Sequence, residues 1–226
     1  SNLVTVTIDG PVAENELCYI NLAGTNLLAE VIKVTGDKAS VQVFESTRGL
    51  KGGDKVEFLG RMLEVSLGPG LLSSIYDGLQ NDLTTMTGVF LKRGEYTAAL
   101  DNTKIWDFTP IASVGDKVVA ADWLGEVKEG WLPHKIMVPF AFKGQYTIKS
   151  IVPEGQYTID QTIAVLVDAE GEEHNVTMVQ RWPVKVAVKG YKEKPRPQKI
   201  METGVRVIDT FNPIAEGGTG FIPGPF

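Results

Sequence analysis

A disulfide framework and a cysteine zinc site are excluded at the outset, because the 226-residue chain holds one cysteine, Cys18. A reducing compartment is the expected setting for such a chain. No apolar run approaches the roughly 20 residues that cross a bilayer, and no charged, apolar and small-residue succession marks a leader peptide. Positive charge is not in excess either. Twenty-two Lys+Arg against 28 Asp+Glu leave a net charge of −6, which argues against a broad nucleic-acid or anionic-membrane surface. No basic stripe with interleaved aromatics occurs. The first residue is Ser1 rather than methionine, as expected of a chain trimmed at its start.

What is present is ordinary for a globular protein: 43% hydrophobic and 22% charged residues. At about 150 residues per domain, the length fits one or two domains with ample material for a core. Residues 3–67 read as strands throughout. Val4, Val6 and Ile8 alternate with Thr5 and Thr7, the period of a half-buried strand. Further strands are predicted at 17–20, 27–34, 40–44, 56–59 and 62–67. Six short strands without an intervening helix suit a small closed barrel, which leaves no exposed edge.

Gly68-Pro69-Gly70 interrupts this pattern. Leu72, Ile75, Tyr76, Leu79 and Leu83 then fall at helical spacing, so an amphipathic helix is predicted over 71–83. From Gly94 to Trp182 the chain is β-rich again, and Gly144-Gln145-Tyr146-Thr147-Ile148 recurs as Gly155-Gln156-Tyr157-Thr158-Ile159. One repeat of five residues makes no solenoid; two strands with the same turn chemistry explain it. A further strand is expected at 184–188, then an extended connector at Lys192-Glu193-Lys194-Pro195-Arg196-Pro197, where two prolines forbid regular helix. A short helix is predicted over 203–211, ended by Asn212-Pro213.

Few residues announce chemistry. His134 and His174 lack metal ligands at useful spacing. Glu170, Glu172, Glu173 and His174 read as a solvated hairpin tip against the alternative of a metal site. Cys18 reads as core packing, and Trp106, Trp123, Trp131 and Trp182 as fillers of the second β-rich region's core. No nucleophile elbow appears, although a Ser/His/Asp or Cys/His set assembled by the fold stays open. Gly53-Asp54-Lys55-Val56 and Gly115-Asp116-Lys117-Val118 resemble turns of lipoyl- and biotinyl-carrier folds. The exposed lysine tip of a carrier is missing, so only the fold hint is kept.

One candidate site remains. Thr219-Gly220-Phe221-Ile222-Pro223 reads as an apolar strand fed by the Glu216-Gly217-Gly218 turn and leading into Gly224-Pro225-Phe226. A strand running into glycine is how a phosphate-binding loop opens: backbone N–H groups cradle phosphates, a later lysine reaches the β- and γ-phosphates, and a Ser/Thr holds Mg²⁺. A terminal turn of no function is the alternative. The second glycine, the lysine and the hydroxyl would all fall beyond Phe226, as expected of a chain cut inside the motif.

Taken in order, several stretches resemble the catalytic A subunits of V-type and archaeal-type rotary ATPases. They are Leu67-Gly68-Pro69-Gly70-Leu71-Leu72-Ser73-Ser74-Ile75-Tyr76-Asp77-Gly78-Leu79-Gln80, Arg93-Gly94 with Ala99-Leu100-Asp101, and Trp106-Asp107-Phe108-Thr109-Pro110. Gly115-Asp116, Gly125-Glu126-Val127 and Ile136-Met137-Val138-Pro139 follow. Last come Thr203-Gly204-Val205-Arg206-Val207-Ile208-Asp209, Gly217-Gly218-Thr219 and Ile222-Pro223-Gly224-Pro225-Phe226. Asn81-Asp82-Leu83 stands where that family shows Arg-Pro-Leu, implying a divergent, bacterial branch.

The resemblance implies a mainly β chain. A six-stranded N-terminal β-barrel would span 1–68, and a linker helix with the first edge of the nucleotide-binding domain 69–110. A β-rich, barrel-sandwich-like inserted bulge would span 111–182. A return into the α/β nucleotide-binding domain, incomplete at its P-loop, would span 183–226. It implies ATP/ADP and Mg²⁺ as ligands of the parent protein, with none expected on this chain. No catalytic or metal-binding residue is expected here; Gly224, Pro225 and Phe226 would be the opening of the nucleotide site. The implied partners are B subunits alternating in a hexameric ring, a central shaft and a peripheral stalk that the bulge faces. Nucleic acid is not among them. The membrane would be met only indirectly, through an H⁺- or Na⁺-translocating sector, from its cytoplasmic face. A standalone interaction module without nucleotide chemistry is the rival expectation.

Overall fold

The computed structural model describes residues 2–86, 92–189, 193, 196–221 and 223–224. The chain divides into two compact units, Ser1–Lys189 and Gly190–Phe226.

In the first unit, alternation builds the strands where the sequence places them: β1 (Leu3–Thr7), β2 (Glu16–Leu22), β3 (Thr25–Thr35), β4 (Lys38–Val43), β5 (Val56–Met62) and β6 (Glu64–Leu67). The first five form one antiparallel sheet in the order β1-β4-β3-β2-β5. Its core holds Val6, Ile20, Leu27, Val31, Val41 and Val43, with Cys18 among them. Each such aliphatic side chain contributes about 1.5–3 kcal/mol on burial. The β3–β4 register shifts between Val31 and Lys33, and the extra residue, Ile32, is turned outward. A bulge of this kind bends and twists the strand, which curls the sheet.

β6 leaves that sheet. It pairs instead with β15 (Gln180–Pro183), setting Leu67 opposite Gln180 and Glu64 opposite Pro183. The six strands thus form as expected, while the sixth serves the next domain. That domain has two four-stranded sheets. One runs β10 (Leu132–Met137), β9 (Trp123–Glu129), β7 (Ile105–Pro110), β12 (Gly155–Thr158); the other runs β14 (Glu173–Val176), β13 (Ala164–Val167), β11 (Tyr146–Ile151), β8 (Lys117–Val118). Phe108, Trp106 and Ile163 lie in one apolar cluster, Leu124, Ile148 and Leu166 in the other, and Ile151 packs on both. Gly125 is demanded by packing, since a Cβ there would sit 2.3 Å from the Phe108 ring. The two copies of the Gly-Gln-Tyr-Thr pattern are strands of different sheets.

Four expectations fail. Residues 71–83 form no helix. Ser73 and Gln80 adopt positive φ, and the Asp77 carboxylate accepts hydrogen bonds from Leu79 N (2.9 Å), Asn81 N (2.8 Å) and Asn81 Nδ2 (2.8 Å). Short polar side chains that bond nearby backbone compete with helix, and here they win; Leu72 and Ile75 are left exposed. Residues 184–188 form a turn rather than a strand, closed by Trp182 Nε1–H donating to Val186 O at 2.7 Å. Trp123 and Trp131 are surface residues, the latter 86% exposed at the β9–β10 tip; only Trp106 is buried core. In the second unit, Thr219-Gly220-Phe221 is not a strand.

The second unit holds one short helix, α1 (Arg206–Phe211), inside the predicted 203–211. Its side chains include no buried residue. An isolated bridge joins Ile200 to Ala215.

Candidate functional site

The incipient phosphate loop does not take shape among the described residues. Gly218 N–H closes the expected turn onto Ala215 O at 2.8 Å, with Gly217 at φ 76. Beyond it, Phe221 is 86% exposed and no strand leads into Gly224. A Cβ added at Gly224 would meet nothing within 4 Å. Pro225 and Phe226, like Ile222, lie outside the described residues. Backbone N–H groups converging on one point would be needed to hold a nucleotide phosphate and Mg²⁺. The described residues present no such cradle and do not fit the group, so no step of phosphate chemistry is derived from them.

The Thr203–Asp209 stretch does have geometry. Asp209 reaches back to accept Thr203 Oγ1 at 2.6 Å, Thr203 N at 3.1 Å and Gly204 N at 3.0 Å. The Thr203 hydroxyl above all, and then its N–H, hold the Asp209 carboxyl below the usual carboxylate range. Gly204, at φ 75, makes the tight entry to α1 possible. The motif is a helix-entry clasp.

The first unit's most organised polar cluster lies at Gly68-Pro69-Gly70. Glu129, the last residue of β9, turns its carboxylate inward and is 5% exposed. Its Oε1 accepts Gly70 N–H at 2.7 Å and Leu72 N–H at 3.1 Å, while Oε2 lies 2.6 Å from His134 Nδ1 on β10. Burial alone pushes this carboxyl up. The His134 bond, the two N–H donors and the His134 charge outweigh burial and hold it below its ordinary value. The interdomain turn is therefore pinned to the β9–β10 hairpin by one buried acid. Gly68 is closely packed, since a Cβ would crowd Met178 O and the Val179 side chain at 3.0 Å.

A second tie binds the first sheet to the strap at 92–97. Tyr96 O–H donates to Glu45 Oε1 at 2.6 Å and accepts Leu28 N–H at 3.0 Å; Gly94 N–H donates to Glu45 Oε2 at 2.9 Å. The Arg93 guanidinium donates to Ser46 O and, at 2.9 Å, to Arg48 O. Burial, then the bond to Glu45, push the Tyr96 phenol above its ordinary value. A third contact sets Lys185 Nζ 2.9 Å from Glu30 Oε1, outside hydrogen-bond angles, and donates to Asn15 Oδ1 at 2.8 Å.

These clusters position backbone; they do not activate a nucleophile. His174 Nε2 lies 2.8 Å from Asp168 Oδ2, at the foot of the β13–β14 hairpin, and its ring packs edge-on against Phe142 and Tyr146. Among the described residues no three His, Cys, Asp or Glu side chains are grouped to hold a metal. Burial, then Glu16, push the Cys18 thiol up to about 12, far from a reactive thiolate. Glu129 went unnoticed in the sequence, yet it left a signal. It occupies the inward phase of β9 after Val127, where an apolar residue belongs.

Comparison with known proteins adds to this geometry. Residues 2–60 match the beta-barrel domain of the ATP synthase alpha/beta family. Residues 97–185 match the alpha/beta subunit barrel-sandwich domain. V-type ATP synthase alpha chains are similar along the whole chain: those of Borrelia garinii subsp. bavariensis and Borreliella burgdorferi at 49% identity, and that of Borrelia recurrentis at 51%. All of this chain aligns in each case, against 40% of the relative's length.

Proposed function

The chain belongs to the ATP synthase alpha/beta family, and from that premise we propose that it is a piece of the catalytic A subunit of a V-type rotary ATPase. The parent protein hydrolyses or makes ATP with Mg²⁺, by in-line attack of water on the γ-phosphorus, and couples this to H⁺ or Na⁺ movement. That chemistry rests on P-loop amides, a lysine and a metal ion, none of which this chain's described residues supply. Its own contribution is assembly. Residues 1–68 form the crown barrel, 69–110 the linker and the edge of the nucleotide domain, 111–182 the bulge facing the peripheral stalk, and 183–226 the return toward the P-loop at Gly224, Pro225 and Phe226. B subunits alternate with it in a ring at the cytoplasmic face of the membrane.

The observation that carries this is Glu129. It fastens the Gly70 and Leu72 backbone, in the stretch that carries the resemblance, to the barrel-sandwich domain, giving two docking modules a fixed joint. Size-exclusion chromatography with mass detection, on the chain mixed with the matching V-type B subunit, tests the proposal. A mixed complex is expected, with no ATP turnover above buffer from this chain alone. Turnover by the chain alone sinks the division of labour, and a chain that ignores B subunits at tens of micromolar favours the standalone module.

A further inference from the structure

Between β5, β6 and β15 the first unit carries a polar cavity of about 180 Å³ that the assembly role leaves unused. Arg61, Arg181, Ser66, Gln80, Thr97 and an opposing Glu64 line it. Arg181 stands across the β15–β6 register from Ser66, and Arg61 comes from β5. Among the described residues neither guanidinium has a carboxylate within 4.0 Å or a hydrogen-bond partner. The floor is rigid. Gln80 accepts Ser66 N–H at 2.7 Å and donates to Ser66 O at 2.8 Å, which leaves the Ser66 hydroxyl free.

We propose that this cavity binds a small phosphoryl oxyanion. Two permanently charged forks from different strands, with a hydroxyl lining the same cavity, offer more donors than the two oxygens of a carboxylate use; a tetrahedral oxyanion can take more of them. Glu64 cancels one of the two positive charges, so the cavity stays cationic on a chain whose net charge is −6. The proposal does not depend on the assembly role.

Isothermal titration of the purified chain with inorganic phosphate, at ionic strength held constant with chloride, is the test. Saturable binding is expected, weakened at least about tenfold by R61Q or by R181Q, the worth of one charge-assisted hydrogen bond. The double variant should show none, R181K should fall between, and E64Q should bind tighter. Both arginines are exposed, so circular dichroism should find the variants folded. Phenyl phosphate separates the sources: binding as tight as phosphate or tighter indicates a phosphomonoester, and weaker binding indicates the free ion. No saturable heat with phosphate, unchanged affinity in the double variant, or acetate binding equally well would each overturn the proposal.

Discussion

Glu129 shows how one residue can fasten a connecting turn to a β-hairpin. Replacing it with alanine leaves the part-buried Gly70 N–H and the Leu72 N–H without their charged acceptor, at about 1–2 kcal/mol each; a loss of about 2–4 kcal/mol is expected in urea unfolding. The pH dependence follows from its depressed pKa. The folded state favours the carboxylate, so this stabilisation is present above the ordinary value of 4.5 and is lost as pH falls below it. Stability profiles of the unaltered protein should therefore drop more steeply below that pH than those of Glu129→Gln. Cys18 titrates in the opposite sense. Its folded pKa, about 12, lies above the ordinary value of 9.0, so its contribution is complete below pH 9.0 and is lost as pH rises from there through the folded value. At pH 8 a thiol reagent such as DTNB should find no reactive cysteine until denaturant is added; prompt reaction in the native protein would contradict the buried placement. Residue-scale meaning was only partly legible in the sequence. Cys18 as core was clear from its strand, whereas the backbone donors to Glu129 lie 59 and 57 residues away, a separation that no local pattern carries.

At the scale of elements, period-2 alternation made β1–β6 legible, because a strand with one buried face writes that pattern directly into its sequence. The 71–83 stretch was misread for a related reason. Its apolar spacing imitates a helix face, while Asp77 and Asn81 spend their side chains on backbone groups. The two structures differ in what they predict for Asp77→Ala. A helix would be indifferent to the change or gain from it, by a few tenths of a kcal/mol; the observed turn should lose about 1–2 kcal/mol, measurable by thermal or urea unfolding. Pairing was less legible than strand position. Nothing local says that β6 abandons its barrel neighbours for β15, since pairing is set by contacts more than a hundred residues apart in the chain. Gly125→Ala probes the sandwich in the same way. A methyl group 2.3 Å from the Phe108 ring overpacks the core, and a cost of about 1–3 kcal/mol is expected.

For the molecule as a whole, motif order carried more than any single motif. Two matched domains and similarity along the full chain agree with the family resemblance, although Gly224 sits in no phosphate cradle among the described residues. The sequence proposes a P-loop opening by its lettering alone. Lettering carries no geometry, because such a loop is held by the parallel sheet and helix around it, and neither is among the described elements. The chain spans about two fifths of its relatives' length, and the central proposal is that it is a piece of a longer catalytic subunit. Sequencing the source gene across codon 226 tests it most directly. A frame that continues from Phe226 into a Gly-x-Gly-Lys-Thr segment is the expected result; a stop codon directly after Phe226 would contradict it.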